Sequence, residues 1–413
     1  MSAFAFLQLL LLGLIVASGP LAYVWARRGS GSRGAGQSDA AALSGAAARQ
    51  RKLVWVIVFF TFDLILFGAF TRLTDSGLGC PDWPGCYGTS NPLAAHEAIK
   101  AAETAMPTGP VTLTKAWIEM IHRYLAMGVG VLLIALVAVS WRNWLDQRKD
   151  PAHAPWPALA LLALVCVQGA FGAWTVTLKL MPLIVTIHLL LAVTLLCALG
   201  TLGAHLSAVS AMTPVMKPAA KRAVKLSSIP AVIPAMAPGP RAMVTLALLA
   251  VFIQIALGGW VSTNYAVLAC PDFPLCHGEV LPSRADFASG FELLRPLGVR
   301  ADGALLPYEA LVAIHWTHRA FALVVSIAVL SAAALVLQRA SVDPQATLYA
   351  RWLIALLGLQ ILTGVSTVVF SWPLFVAVVH NGGAAALAFV LAMLRTRFAP
   401  QAARYAPAQA VLS

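Results

Sequence analysis

Nine stretches of the chain are apolar for long enough to cross a bilayer, and polar residues collect between them. They cover about 3–26, 53–74, 112–141, 156–178, 182–204, 242–264, 307–338, 349–371 and 375–395. A spanning helix needs roughly 20 apolar residues. In lipid the backbone must satisfy its own hydrogen bonds, so runs of this length predict helices. None alternates apolar and polar over about ten residues as a barrel strand would. The first run lacks a basic start and is longer than a secretory signal core. Arg27 and Arg28 follow it directly. We read it as a retained anchor.

Composition agrees with the pattern. Hydrophobic residues make up 60% of the 413 and charged residues 11%, too few for the surface of a soluble domain. This excludes a disordered chain, a cytosolic enzyme and a nucleic-acid-binding protein. The net charge of +12 is carried mostly by loops on one side: Arg27 and Arg28; Arg49, Arg51 and Lys52; Arg142, Arg148 and Lys149; Lys217, Lys221, Arg222 and Lys225; Arg395, Arg397 and Arg404. The positive-inside rule puts that side in the cytoplasm, with the N-terminus outside and the C-terminus inside. The expected organisation is an anchor (1–26), a flexible Gly/Ser/Ala-rich linker (27–52), a first helical half (53–204), a Pro/Lys-rich cytoplasmic connector (205–241), a second half (242–395) and a cytoplasmic tail (396–413).

The two halves repeat. Cys80-Pro81-Asp82-Trp83-Pro84-Gly85-Cys86 matches Cys270-Pro271-Asp272-Phe273-Pro274-Leu275-Cys276, and Ile121-His122-Arg123 matches Thr317-His318-Arg319. Gln168, Gly172, Thr175 and His188 match Gln360, Gly364, Thr367 and His380. Three blocks recur in one order at nearly one offset. The fold expected is an all-α polytopic membrane protein: two pseudo-symmetric four-helix transmembrane bundles plus an extra N-terminal helix. An even number of helices per half sets the pseudo-two-fold axis along the membrane normal.

Histidine inside a span is costly and needs a partner. His122, His188, His318 and His380 lie in spans at repeat-related places. The 1.5 Å helical rise puts His122 about 15 Å and His188 about 9 Å from the outer end of their helices, in the outer half of the bilayer. They sit on the second and fourth helices of their half, which face each other across the diagonal of an up-down bundle. Two opposed imidazoles fit the axial positions of a haem iron, and His318 with His380 repeats the pair. The simpler reading is that each histidine bonds a neighbouring helix. Zinc would want more His, Cys or carboxylate ligands at that depth. His96, His153 and His205 read as solvated, His277 is ambiguous, and His315 shares the face of His318.

Arg123 and Arg319 follow the ligand candidates, where a buried guanidinium suits a haem propionate; an interhelical ion pair is the second reading. Gly68, Gly172, Gly258, Gly259 and Gly364 read as packing residues or as room for a flat ligand. The halves differ at Glu119, one turn outward from His122, whose counterpart is His315. From physics alone Glu119 is equally a proton shuttle or a residue that caps or pairs, for instance with Lys115. Cys80/Cys86 and Cys270/Cys276 lie in oxidising outside loops rich in turn residues and predict one disulfide per half. Two thiolates alone make an incomplete metal site, and a redox role stays open. Cys166 and Cys197 read as packing residues.

Together, Gly77-Leu78-Gly79-Cys80-Pro81-Asp82-Trp83-Pro84-Gly85-Cys86, Glu119-Met120-Ile121-His122-Arg123, His188, Cys270-Pro271-Asp272, His318-Arg319 and His380 resemble the haem A synthase family over roughly 53–395. That family oxidises the C8 methyl of haem O to a formyl group by two hydroxylations and loss of water. The product serves terminal oxidases. The resemblance implies haem O as substrate, and haem A as product, held by His122 and His188. It implies a haem b cofactor held by His318 and His380, and Glu119 as the essential acid. It also implies the bacterial inner membrane as location. The partners expected are an electron donor, haem O synthase or oxidase assembly factors, membrane lipid and a second copy of the chain, with no nucleic acid. The first helix and long connector depart from the family core and leave the sites undisturbed. The runner-up function is a di-haem membrane cytochrome b that only carries electrons, which would need no Glu119. A parallel-repeat transporter would need no matched histidine pairs.

Overall fold

A computed structural model describes residues 3–26, 39–147, 154–212, 238–338 and 343–397. His153 and most of the predicted linker, connector and tail lie outside these residues. The described chain is helical, in the order α1 (Ala3–Ala26), α2 (Asp39–Leu73), α3 (His96–Ala105), α4 (Leu113–Asp146), α5 (Trp156–Thr177), α6 (Pro182–Met212), α7 (Pro238–Thr263), α8 (Phe287–Gly290), α9 (Tyr308–Leu337), α10 (Pro344–Val369) and α11 (Leu374–Arg397). Nine of these are long and apolar enough to cross a membrane, and the protein is a polytopic all-α membrane protein. The helix α2 starts at Asp39, inside the segment expected to be a linker. Its first turns are rich in alanine, the strongest helix former, which outweighs Gly45.

Four helices close a ring in the first half: α2 touches α4 and α6, and α5 touches the same two. In the second half α7 and α10 each touch α9 and α11. The histidine-bearing helices α4 and α6 therefore stand across a diagonal, as do α9 and α11. The halves meet where α11 packs on α2 and α6, and α6 on α7. Lipid gives no hydrophobic drive for this contact, so close packing must supply it. Gly382 on α11 receives Leu66 of α2, and Gly200 on α6 receives the Phe389 ring of α11. At the end that carries the disulfide loops, matched positions of the two repeats meet. Arg72 donates to the Ser262 carbonyl at 2.6 Å, and the Tyr265 hydroxyl donates to Asp75 at 2.7 Å.

The additional helix α1 lies outside the rings, packed along α4. Gly13 abuts Met127, and Gly128 abuts Val16. Near the disulfide end, Leu9 is buried with Cys80, Cys86, Ala116 and Met120, and the Ser90 hydroxyl bonds the Gln8 side chain at 2.6 Å. The helix thus braces the element that bears Glu119 and His122. A Cβ at Gly128 would fall 2.5 Å from Val16 Cγ1, whereas at Gly130 it would meet nothing within 4 Å. Overpacking a tight contact costs about 1–3 kcal/mol. Gly128→Leu should therefore lower the Tm of the detergent-solubilised protein, and Gly130→Leu should not.

Candidate functional site

Each of the four intramembrane histidines rests on a glycine of the preceding helix in its ring. A Cβ would come 3.0 Å from Cε1 of His122 at Gly68, and 3.2 Å from that of His188 at Gly172. In the second half the distances are 3.0 Å at Gly258 against His318 and 3.2 Å at Gly364 against His380. The glycines repeat with the histidines, so four of the five read as packing residues have a specific role, each as the seat of an imidazole edge. The fifth, Gly259, faces Leu189 and Thr186 of α6 instead.

His122 lies within Coulombic range of His188, and His318 of His380. No hydrogen bond reaches Nε2 of any of the four from a described residue, and none of these atoms is sealed in by protein. All four rings are only partly covered. Each pair thus has Nε2 atoms without a hydrogen-bond partner among the described residues, on helices that stand across a diagonal. The described residues contain no group of three His, Cys, Asp or Glu able to hold a bare ion. Two opposed nitrogens suit an iron whose other four positions are filled by a macrocycle. The donor set and the glycine seats fit a flat iron porphyrin in each ring.

The two disulfides form, Cys80–Cys86 and Cys270–Cys276, and the loops they close are built alike. Asp82 gathers the N–H groups of Tyr87 and Gly88 at 2.6 and 2.8 Å. Asp272 gathers those of His277 and Gly278 at 2.7 and 2.8 Å. Residues 87, 88, 277 and 278 all have positive φ, which turns these N–H groups toward one carboxylate. The carbonyls then need donors from elsewhere. Arg123 supplies them to Asp82, Pro84 and Gly85 at 2.8, 3.3 and 2.6 Å. Arg319 supplies them to Cys270, Asp272, Pro274 and Leu275 at 2.9–3.4 Å. The arginines expected to meet propionates hold the disulfide loops onto α4 and α9.

Glu119 is buried at 3% exposure. One carboxylate oxygen accepts the Cys80 N–H at 2.8 Å, and the other pairs with Arg123. The partner is therefore Arg123 and not Lys115, which the spacing alone equally allows. Arg123 lies four residues along the same face and is itself fixed by the loop. In the second half His315 fills the same place, its Nδ1 accepting the Cys270 N–H at 3.1 Å. The two side chains do one structural job, and only the first half does it with an acid. His277 bonds the Ala269 carbonyl at 2.8 Å and is part of its loop. His96 pairs with Glu97. Cys197 is buried and Cys166 exposed, both as free thiols.

Paired histidines on diagonal helices of twin transmembrane rings, each beneath a disulfide loop, define a polytopic membrane protein built for haem-related chemistry. A family model described as cytochrome oxidase assembly protein matches residues 51–392. A heme A synthase of Shewanella oneidensis is 37% identical over 347 residues, covering 82% of this chain and 94% of that protein. Heme A synthases of Rhizorhabdus wittichii and Novosphingobium aromaticivorans are each 28% identical over about four-fifths of the chain, covering 89% of each relative. The chain belongs to this family, that of the heme A synthases.

The Asp272 carboxylate carries a pH dependence. The N–H of Gly278, assisted by that of His277, holds the Asp272 carboxyl below its ordinary range. A depressed carboxyl contributes order above its unfolded pKa and loses it as pH falls through the folded one. In Asp272→Asn the Cys270–Cys276 bond should be reduced by a phosphine faster than in wild type near pH 6. The two rates should draw together only as the pH falls below the ordinary carboxylate range, through the depressed pKa of folded Asp272. Mass mapping of the reduced loop is the measurement.

Proposed function

We propose that the chain is an enzyme of haem A biosynthesis that oxidises the C8 methyl of haem O to the formyl group of haem A. The observation that carries this reading is the pairing of free Nε2 atoms on glycine seats in both rings, with an acid one turn from the pair in the first ring alone. His122 and His188 hold the substrate, haem O, by its iron and so fix the macrocycle edge relative to α4. Gly68 and Gly172 let both rings sit deep enough to oppose each other. Taking the methyl to a formyl group adds one oxygen atom and removes four electrons, which dioxygen or another external acceptor must take, and Glu119 supplies a carboxylate that shuttles the accompanying protons. Arg123 and the Cys80 N–H keep that carboxylate on the His122 face of α4. The disulfide loop, pinned by Arg123, covers the end of the ring.

His318 and His380 would hold a haem b, which supplies one-electron redox capacity when bound. His315 keeps its loop anchored without placing a carboxylate there. The charge pattern supports a bacterial inner-membrane protein with an outside N-terminus, a cytoplasmic C-terminus and both haem sites in the outer half. The product's use fits the assembly of terminal oxidases.

Haem extracted after expression with haem O available should contain haem A. Removing a general acid or base costs typically 10²–10⁴-fold in rate. Glu119→Gln should therefore lose nearly all haem A while keeping the Soret band of bound haem. Haem A at wild-type yield from that variant would remove Glu119 from the chemistry. Recovery of haem b alone from wild type under every condition would favour a plain electron-carrying cytochrome.

A further inference from the structure

The two rings seat their histidines alike but hold them differently. In the second ring both histidines of the pair are tied through Nδ1 and through their carbonyls. The Gln254 amide, one turn before Gly258, donates to the His318 carbonyl at 3.0 Å and lies 3.2 Å from its Nδ1; as a donor it fixes the ring's place but does not put a proton on Nδ1. The Gln360 amide donates to the His380 carbonyl at 3.1 Å. It occupies space that Gly383 leaves open, where a Cβ would collide with it. Thr363 meets Nδ1 of His380 at 2.9 Å.

The Thr363 contact has a definite sense. Its hydroxyl lies closer to the Leu359 carbonyl, at 2.6 Å, than to the imidazole; with its proton given to that carbonyl, its oxygen accepts from the ring. Nδ1 of His380 must then carry the ring proton, which leaves the Nε2 lone pair free to face the ring interior. A metal-ligating histidine is commonly oriented by such a second partner on its other nitrogen.

The first ring has none of these ties. Leu64 stands where Gln254 stands, Phe171 where Thr363 stands, and Leu191 where Gly383 stands. Gln168, the counterpart of Gln360, has its buried Oε1 without a partner. Nδ1 of His122 and of His188 are likewise buried without a hydrogen bond. His188 and His380 both lie by the backbone carbonyl of the matching glutamine, Gln168 and Gln360, so the rings differ in their side-chain partners and not in this contact. Phe67 stacks on His122, its ring centre 6.3 Å away, a contact that does not select a tautomer.

We propose that Thr363, with Gln360, is a positioning residue that locks His380, and through it the second histidine pair, for permanent iron ligation. The first pair is left unlocked by Phe171 at the place of Thr363, so that its haem can enter and leave. This rests on the haem-binding reading above. It adds that retention and exchange are set by the partners of Nδ1, not by the ligands themselves. An imidazole whose Nδ1–H is hydrogen-bonded is a more basic, better-oriented ligand, and it stabilises the oxidised iron.

The experiment uses the full-length haem-loaded protein in detergent, with haem transfer to apomyoglobin and redox titration as readouts. His380→Ala should abolish the low-spin spectrum of the retained haem. Thr363→Val should keep that spectrum, release the haem several-fold faster and raise its potential. Thr363→Ser should restore both values. Phe171→Thr should slow release from the first ring. Release and potential unchanged in Thr363→Val, with His380→Ala abolishing the spectrum, would overturn the lock and leave the haem reading intact. An undiminished spectrum in His380→Ala would overturn both. Should Thr363→Val fail to assemble, an unchanged release rate in Phe171→Thr would be enough to reject the proposal.

Discussion

An imidazole placed inside a transmembrane helix must find room for its ring and a use for both nitrogens. A histidine edge is too wide for the contact between two helices that touch through ordinary side chains. Gly68, Gly172, Gly258 and Gly364 remove the Cβ that would block it, and each does so from the helix next along the ring. That small residue lets the helix wall stay close-packed while the imidazole turns inward. The closure of four helices into a ring and the diagonal placement of the histidine-bearing helices accord with it. The requirement also couples α2 to α4 and α5 to α6 in the first half, and α7 to α9 and α10 to α11 in the second. A bulky residue at any seat would displace both the ligand and the helix that carries it.

The disulfide loops solve a second problem, how to end a ring without leaving backbone carbonyls unpaired. Their N–H groups are collected by Asp82 and Asp272, and their carbonyls by Arg123 and Arg319. Because each arginine follows its histidine directly, the loop is referenced to the same helical turn as the imidazole. Glu119 enters through this scaffold. Its partners, the Cys80 N–H and Arg123, are structural groups, and His315 does the same work in the second half. A carboxylate could therefore be placed beside one haem position without rebuilding the loop. The bonding role and the chemical role of Glu119, alternatives on the sequence alone, are compatible, since the first fixes the geometry the second needs.

The spans, the repeat, the disulfides and the four histidines are legible in the sequence because each follows from a strong one-dimensional signal: apolar length, offset and residue rarity. The arginine partners are not. A guanidinium after an intramembrane histidine suggests a propionate first and an interhelical ion pair second, and the loop carbonyls it meets are not visible in the spacing. Only the turn that points residues 82–85 inward decides, and turns of this kind arise from positive φ at Tyr87 and Gly88. The early start of α2 is hidden because a Gly/Ser/Ala count suggests a linker, although alanine alone favours helix. The glycine seats are visible as repeated small residues, but their target is not, since the contact joins different helices. The packing of α1 on α4 is unreadable for the same reason: Gly13 and Gly128 sit far apart in the chain.

Three of the positions at which the halves diverge flank the histidines. Leu64 against Gln254, Phe171 against Thr363 and Glu119 against His315 all lie within about one helical turn of a histidine or of its glycine seat. The seats, the histidines, the loop aspartates and the arginines are the same in both. A duplicated ring thus provides two equal scaffolds, and chemistry is assigned by what surrounds Nδ1 and by what caps the cysteine N–H. Tight polar ties around one pair favour a ligand set that never lets go, and these ties would be a defect around a pair that must release its product. An apolar surround with one acid suits turnover. The two demands conflict in any single site, which is a physical reason for the chain to keep two.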